Sequence, residues 1–380
     1  MQQASNKPNP IKEPLPALMP YQETLRLFEQ NVYGPIPILS DVVIVEKKQI
    51  AREAFTENDT VWQWKVVAGY GSEKRVFHIV LISKEETENS PYIIAQNFCP
   101  NTATVPIDGI TAPNNAHFDC SQGGMIGSIF GYFFGRYITV SPYKMILDRG
   151  YNIALFYPSE FVPDSQSDAP AVTSKLFKHS ESKPANIAIW ASLSNWLAEE
   201  LKTANSRRPV ISYGHSRFGK TALLSAATSP YIDGVIAHQS GTGGASILRD
   251  RTGESIKDVM ASYAHWFTPK FSSFAGKENT LPIDAHNLLS LIAPKPILLG
   301  NARRDVWSDP EGAFDAAIAA TPVWRKVGLS GLTAKRLDHF IPEDDIAFWM
   351  RPGTHGVVKE DWPAFLDFLD AHFGGSISPQ

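Results

Sequence analysis

Short apolar runs recur along the chain and are separated by longer segments, some of which have hydrophobic positions at helical spacing. The first runs follow one another without a helix between them, which predicts an antiparallel start to a mixed sheet. They are Val42–Glu46, Val61–Val67 and Arg75–Ile82. The later runs are short and bounded by turn residues, as is typical of buried parallel strands. They are Tyr92–Phe98, Tyr151–Phe156, Pro209–Tyr213, Gly234–His238, Pro296–Gly300 and Ile346–Trp349.

Three segments between these runs have the composition of helices. Ala185–Leu201 is the clearest, because it places its large apolar residues on one stripe at i, i+3 and i+4 spacing. We interpret that stripe as core packing and assign its tryptophans no role in a site. Thr221–Ala227 is rich in helix formers, and Pro363–Phe373 is followed by two glycines that end a helix.

Strands that alternate with helices after an antiparallel start are typical of the α/β-hydrolase fold, a mixed, mostly parallel sheet between two layers of helices. Residues 1–20 hold five prolines and are expected to form an extended arm over the surface. We predict a single domain over residues 21–375. It has two excursions, at about 99–145 and 241–283.

Composition narrows the classes of function. Of 380 residues, 43% are hydrophobic and 19% charged, and the net charge of -4 provides no basic surface for nucleic acid. No run approaches the roughly 20 apolar residues that span a bilayer. The first ten residues lack the apolar region of a signal peptide, which leaves open a cytoplasmic protein or a mature exported form. Cys99 and Cys120 are equally compatible with one disulfide and with two free thiols.

The most informative stretch is Gly214–Lys220, which lies between a predicted strand and a predicted helix. A serine between glycines at such a turn is typical of a nucleophile elbow, so Ser216 is the candidate nucleophile. The motif departs from G-x-S-x-G because its second glycine, Gly219, comes one residue late. A serine at a strand-to-helix turn is also common as a structural cap, so the motif alone leaves both interpretations open.

A serine nucleophile needs a histidine base, and in this fold the base comes last in the chain. His355 is the best candidate, because it lies in a glycine-rich loop directly after the last predicted strand. His339 and His372 are expected at the surface or in packing. His265 and His286 are expected to be hydrogen-bonded structural residues.

The histidine in turn needs a carboxylate that orients it and stabilises its charged form. Asp305 and Asp309 both follow the strand at Pro296–Gly300, which is the usual place for this acid. We favour Asp305, since Asp309 precedes a proline and is typical of a turn or a helix cap.

These motifs resemble those of the glucuronoyl esterases of carbohydrate esterase family 15, particularly the bacterial members. The elbow G-x-S-R-x-G-K is matched from Gly214 to Lys220. Further matches are Ser240–Gly244, Gly253-Glu254, His265–Phe267, Leu288–Pro296, Asp305–Pro310, His355 and Asp361-Trp362. The resemblance implies a secreted or periplasmic serine esterase without a cofactor or metal. Its substrates would be esters of 4-O-methyl-glucuronic acid, such as those that link xylan to lignin.

The resemblance also assigns roles to individual residues. It implies that Arg217 assists the oxyanion and that Lys220, Glu254 and Trp307 bind the sugar. Without the motif, Lys220 and Glu254 would be interpreted as ordinary surface charges. The chain departs from the family at Gln239, where many members have a catalytic Glu. Glutamine carries no charge, so the acid is expected elsewhere, and Asp305 matches the alternative position.

Other functions remain as hypotheses beside the glucuronoyl esterase. One is an esterase of other acyl preference, such as an acetyl esterase, which does not depend on the sugar-binding residues. Another is a carbohydrate-binding pseudoenzyme, which the loss of a Glu at Gln239 makes conceivable. In each case we expect a monomer with a carbohydrate or small-molecule partner, and neither nucleic acid nor a membrane.

Overall fold

In the computed structural model, which describes residues 13–70, 73–84, 89–113, 120, 135–249 and 253–374, nine strands form a single sheet. In chain order they are β1 Ser40–Arg52, β2 Asp59–Tyr70, β3 Glu73–Lys84, β4 Tyr92–Gln96, β5 Asn152–Phe156, β6 Val210–His215, β7 Gly234–His238, β8 Ile297–Ala302 and β9 Ile346–Arg351. The spatial order is β1-β2-β3-β5-β4-β6-β7-β8-β9. Within the first four strands in this spatial order, β1-β2-β3-β5, neighbours are antiparallel. The strands from β5 onwards, β5-β4-β6-β7-β8-β9, are parallel to one another. The predicted antiparallel start and the fold class are confirmed.

Twelve α-helices of the described chain connect or flank these strands. They are α1 Tyr21–Phe28, α2 Asn101–Thr104, α3 Tyr143–Asp148, α4 Pro158–Phe161, α5 Ala169–Leu176, α6 Asn186–Ala204, α7 Arg217–Thr228, α8 Ile256–Tyr263, α9 Pro269–Ser272, α10 Ala285–Ser290, α11 Pro310–Lys326 and α12 Asp361–Phe373. The pattern predicted α6, α7 and α12 but not α11. Half of the buried residues of α11 are alanines, whose small side chains give little hydrophobic contrast along the sequence.

Two apolar cores lie on opposite faces of the sheet, because neighbouring residues of a strand point to opposite sides. In β8, Ile297 and Leu299 belong to one core and Leu298 to the other. The first core contains large side chains of α6, α7 and α11, and the second those of α3 and α12. The chain therefore forms three layers, with the sheet in the middle.

The hydrophobic stripe of α6 packs in the first core, as predicted. Trp190 is fully buried, and its indole N–H donates to the carbonyl of Val162 at 3.1 Å. Its ring lies 5.4 Å from that of Phe218, in the first turn of α7, in an edge-to-face arrangement. The contact fixes the helix that follows the elbow serine.

The described part of the proline-rich arm lies against the domain. Side chains of Arg249, His286 and Asn287 bind carbonyl oxygens of residues 14–17 at 2.9 to 3.0 Å. Residues 1–12 lie outside the described part. Burial lowers the pKa of His286 to about 4. This histidine is therefore structural, as expected.

The first excursion contains a disulfide between Cys99 and Cys120, whose Cα atoms are 5.7 Å apart. Of the two alternatives left open by the sequence, the structure thus has the disulfide. Residues 114–119 and 121–134 of this excursion lie outside the described part. Within the described ranges, no helix has the length and apolar character needed to cross a membrane.

Candidate active site

Ser216 stands at a sharp turn between β6 and α7. Its backbone has φ 56° and ψ -123°, a conformation that a residue with a side chain rarely adopts. Its N–H donates to the carbonyl of His238 at 2.8 Å, which ties the turn to the neighbouring β7. A side chain at Gly214 would lie 1.9 Å from the carbonyl oxygen of Phe218, so only glycine fits there. The predicted strand, turn and helix are all present.

The late second glycine of the motif has a packing reason. A Cβ at Gly219 would lie 3.0 Å from Cβ of Ser240 and 3.1 Å from the carbonyl oxygen of His238, because α7 crosses closely over the end of β7. Phe218 stands one residue earlier and instead turns its ring into the core. The close approach of helix and strand is thus one residue further along than in a G-x-S-x-G elbow.

His355 and Asp305 meet at the carboxyl edge of the sheet, after β9 and β8. Nδ1 of His355 lies 2.7 Å from Oδ2 of Asp305, and the Ser308 N–H donates to Oδ1 of Asp305 at 3.3 Å. Asp305 is buried, which raises the pKa of its carboxyl group. The hydrogen bonds and charge of His355, with the bonds of Ser308, lower the pKa more, so the net value is below the usual one. Asp305 is therefore an anion at neutral pH.

The histidine also lies beside the elbow. The ring of His215, the residue before Ser216, is centred 4.6 Å from the ring of His355. Ser216, His355 and Asp305 are thus gathered at one edge of the sheet, as the sequence predicts.

The other candidate histidines and the other candidate acid have different surroundings. Nε2 of His265 lies 2.8 Å from a carboxylate oxygen of Asp164. His372 contacts the carbonyl of Asp344 at 3.2 Å, and His339 is exposed. Asp309 caps α11, with its carboxylate accepting from the N–H of Gly312 at 3.0 Å. As the sequence predicts, His265 is hydrogen-bonded, His339 is at the surface and Asp309 caps a helix. His372 was predicted at the surface or in packing, and its ring packs 4.8 Å from that of Phe368.

Arg217, the first residue of α7, is held by a carboxylate that the sequence analysis missed. Its Nη1 donates to Oδ2 of Asp164, and its guanidinium lies 4.8 Å from the centre of a Trp266 ring. Oδ1 of Asp164 accepts from Nε2 of His265 at 2.8 Å and from Nε1 of Trp266 at 2.7 Å. Burial raises the pKa of Asp164. The hydrogen bonds and the charge of Arg217 lower it by more, so the net pKa is below the usual value. No local motif marks Asp164.

Lys220 is buried on the next turn of α7 and is not a surface charge. Its ammonium donates to the carbonyl of Ser240 at 2.5 Å and lies 5.7 Å from the centre of a Trp266 ring. Burial lowers the pKa of Lys220 to about 8, although the negative charge of Glu254 opposes this shift. Burial raises the pKa of Glu254, against the effect of Lys220. The two groups are therefore close enough to influence each other's charge.

Trp307 joins this group through its backbone. Its carbonyl oxygen accepts from the N–H of Glu254 at 3.3 Å. Its side chain is 64% exposed, which is unusual for an indole and leaves a flat apolar face open to a ligand. The sequence-predicted residues Lys220, Glu254 and Trp307 thus lie in one region.

Gln239 follows β7 and faces the histidine loop. Its Nε2 donates to the carbonyl of Thr354 at 3.3 Å, and its Oε1 accepts from the N–H of Gly356 at 2.9 Å. Its side chain therefore contacts the backbone on both sides of His355. Within the described ranges, no group of three or more His, Cys, Asp or Glu side chains is arranged to hold a metal ion.

Comparison with known proteins finds glucuronoyl esterases and other carbohydrate esterases. Residues 155–328 match the family model described as glucuronyl esterase, fungi. A solved structure, a promiscuous CE15 esterase from the marine bacterial metagenome, superposes with a TM-score of 0.81 and 25% identity, over 96% of this chain and 98% of that one. The chain is thus similar to glucuronoyl esterases in sequence and in structure. The family has the α/β-hydrolase fold, which agrees with the observed topology.

Two curated relatives match part of the chain. Carbohydrate esterase MZ0003, from an unknown prokaryotic organism, is 34% identical over 236 residues, which are 60% of this chain and 55% of that protein. The 4-O-methyl-glucuronoyl methylesterase of Phanerochaete carnosa is 32% identical over 123 residues, 30% of each chain. The chain thus matches little more than half of the first relative and under a third of the second.

Proposed function

We propose that this chain is a serine esterase that hydrolyses esters of 4-O-methyl-glucuronic acid, such as those that join xylan to lignin. The observation that carries the proposal is the hydrogen bond between His355 and a buried, ionised Asp305 at 2.7 Å, beside the strained elbow of Ser216. The similarity to glucuronoyl esterases points to the same chemistry. The name of one relative, 4-O-methyl-glucuronoyl methylesterase, supplies the substrate class.

In the proposed first step, Oγ of Ser216 attacks the carbonyl carbon of the ester while Nε2 of His355 takes the hydroxyl proton. Nε2 is the free ring nitrogen, because Nδ1 faces Asp305. The carboxylate holds the imidazole in the required tautomer and stabilises the imidazolium. The carbonyl electron pair moves to the oxygen, which becomes an oxyanion.

The oxyanion then needs donors that are already in place. The first turn of a helix has backbone N–H groups without intrahelical partners, so the N–H of Arg217 is available. Its guanidinium, oriented by Asp164, adds positive charge. When the oxyanion collapses, the ester bond breaks and His355 returns the proton to the leaving alcohol. In the second half of the reaction, His355 takes a proton from water, and the hydroxide attacks the acyl carbonyl. The bond to Oγ of Ser216 then breaks, the acid is released, and His355 returns the proton to Ser216.

Recognition of the sugar is assigned to Lys220, Glu254 and Trp307. An ammonium with a pKa of about 8 is mostly protonated at neutral pH and can donate to hydroxyl groups. Glu254 can accept from them, and the exposed indole of Trp307 offers an apolar face for the ring. These groups do not touch the reacting carbonyl in this scheme, so they select the acid half of the ester.

The direct test is Ser216→Ala with Ser225→Ala as a matched control on the same helix. Ser225 lies inside α7 and its hydroxyl binds the carbonyl of Ala191, away from the elbow. We expect Ser216→Ala to abolish hydrolysis of methyl 4-O-methyl-glucuronate and labelling by a fluorophosphonate, and Ser225→Ala to retain both. A folded Ser216→Ala protein with substantial kcat would exclude this nucleophile.

An esterase of broader acyl preference is the second candidate. It is favoured by the description of the solved relative as promiscuous. Comparing kcat/KM for methyl glucuronate with that for p-nitrophenyl acetate decides between the two. A protein that binds glucuronate without labelling by the fluorophosphonate would instead be a pseudoenzyme.

We also propose that the protein acts outside the cytoplasm. The disulfide between Cys99 and Cys120 supports this, because such bonds persist mainly in oxidising compartments. Counting alkylatable thiols in the unreduced, denatured protein from its native host tests it. Two free thiols would contradict the proposal.

A further inference from the structure

The catalytic histidine proposed above lies in a loop, where small displacements of the backbone move the ring. His355 follows β9, and within the described part of the chain its side chain forms hydrogen bonds with Asp305 and Ser308. These contacts orient the ring but do not fix the peptide groups that carry it. A general base has to be held within a fraction of an ångström, so the backbone of this loop needs a separate support.

The side-chain amide of Gln239 meets that need. It accepts from the N–H of Gly356 at 2.9 Å and donates to the carbonyl of Thr354 at 3.3 Å, the peptide groups on either side of His355. One contact holds the peptide group before His355 and the other holds the peptide group after it. A glutamine amide offers a donor and an acceptor together without a charge.

Gln239 is itself rigidly placed. Its N–H donates to the carbonyl of Gly300 at 2.7 Å, its carbonyl accepts from the hydroxyl of Ser308 at 3.1 Å, and the residue is 1% exposed. Its φ of 49° is strained for a residue with a side chain. Such strain persists where the surroundings enforce it, and it is concentrated at functional sites.

A second side chain, Arg351, holds the same loop from within. Its guanidinium donates to the carbonyls of Pro352, Thr354 and Gly356 at 2.6 to 3.1 Å, and its Nε contacts both oxygens of Asp361 at 2.9 Å. Asp361 also accepts from the N–H of Val358, so this pair supports the chain between β9 and α12 as a whole. Removing Arg351 would therefore disturb the fold, whereas Gln239 can be tested separately.

We propose that Gln239 is a positioning residue for His355 and acts on it through the backbone of Thr354 and Gly356. The proposal rests on the function proposed above. It gives a role to Gln239, which stands where many glucuronoyl esterases have a catalytic Glu. Gln239 acts as a neutral clamp on the histidine loop, and the negative charge is supplied by Asp305.

The test compares Gln239→Ala with Gln63→Ala. Gln63 lies in β2 and makes the same kind of paired contact, since its amide binds the hydroxyl and the N–H of Thr111 at 2.7 and 2.8 Å. We expect Gln239→Ala to lower kcat for methyl glucuronate by about 10- to 100-fold with KM nearly unchanged, on the scale of a misplaced catalytic group. Gln63→Ala should lower the melting temperature at most. Equal effects of the two substitutions on kcat would overturn the proposal.

A second arm separates positioning from a general structural effect. If Gln239 acts through His355, adding Gln239→Ala to His355→Ala should change the residual rate less than twofold. A further loss of tenfold or more in that background would show that Gln239 acts on another group and would overturn the proposal. Failure of the underlying function has a different signature. In that case His355→Ala or Ser216→Ala alone would retain kcat.

Discussion

Asp164 and Arg217 form a buried ion pair although 53 positions separate them in the sequence. The carboxylate also accepts hydrogen bonds from His265 and Trp266, which belong to the second excursion. The excursion therefore reaches back to the elbow and fixes the residue after Ser216. Because three donors converge on one carboxylate, the guanidinium has little freedom to turn away from the site.

The first prediction is that Asp164→Asn lowers kcat by about 10- to 100-fold. The substitution keeps an oxygen for His265 and Trp266 but removes the charge that orients Arg217. Loss of one oxyanion donor in other enzymes costs roughly 10²- to 10³-fold in kcat. Steady-state kinetics on methyl glucuronate measure the effect. Asp168→Asn is the control, since Asp168 is exposed and binds nearby serines. A rate near wild type for Asp164→Asn would show that the guanidinium needs no such anchor.

The second prediction distinguishes the two aspartates after β8. Asp305→Asn should lower kcat by roughly 10⁴-fold, the loss seen when a triad carboxylate becomes an amide. Asp309→Asn should leave kcat within a few-fold, because Asp309 caps α11 through Gly312. Asparagine is a good cap as well, so the free energy of unfolding should change by less than about 1 kcal/mol. The opposite order of the two kcat values would move the acid to Asp309.

The inner strands, β4 to β9, were predictable because each is a short apolar run that contributes to both cores. In β7, the predicted bounds Gly234 and His238 are the observed ones. The outer strands were predicted too short. β1 extends to Arg52, and its exposed positions carry lysine and glutamate that interrupt the apolar pattern.

The site divides into residues with a local signal and residues without one. Ser216, His355 and Asp305 each follow a strand in a recognisable context, so their places could be predicted. Asp164 follows no strand, and its role depends on a tertiary contact across the elbow. Arg351 has no sequence signal of its own, because its bonds to the loop of His355 depend on the backbone conformation.

The third prediction concerns the exposed indole. Trp307→Ala should raise KM for methyl glucuronate at least several-fold and leave kcat/KM for p-nitrophenyl acetate unchanged, since the indole is proposed to touch only the sugar. Val306→Ala is a close control, because Val306 is the preceding residue and is 63% exposed, against 64% for Trp307. Parallel losses on both substrates would assign Trp307 to the chemistry or the scaffold.

The fourth prediction follows from the burial of Lys220, which lowers its pKa from 10.5 to about 8. Between these pH values the unfolded chain binds a proton that the folded protein has released. The free energy of unfolding contributed by this group therefore rises as the pH rises from 8 to 10.5. Relative to Lys220→Met, wild type should gain roughly 3 kcal/mol at most across this window.

Urea denaturation of both proteins at pH 7.5, 9 and 10.5 measures the difference. Titrating groups that do not interact with Lys220 cancel in the comparison, including Lys295, whose pKa burial also lowers to about 8. Lys335→Met, at an exposed position, is the control and should show no such pH-dependent difference. A constant difference between wild type and Lys220→Met would mean that the ammonium is solvated. In that case, its proposed role as a desolvated donor to the sugar would lose its physical basis.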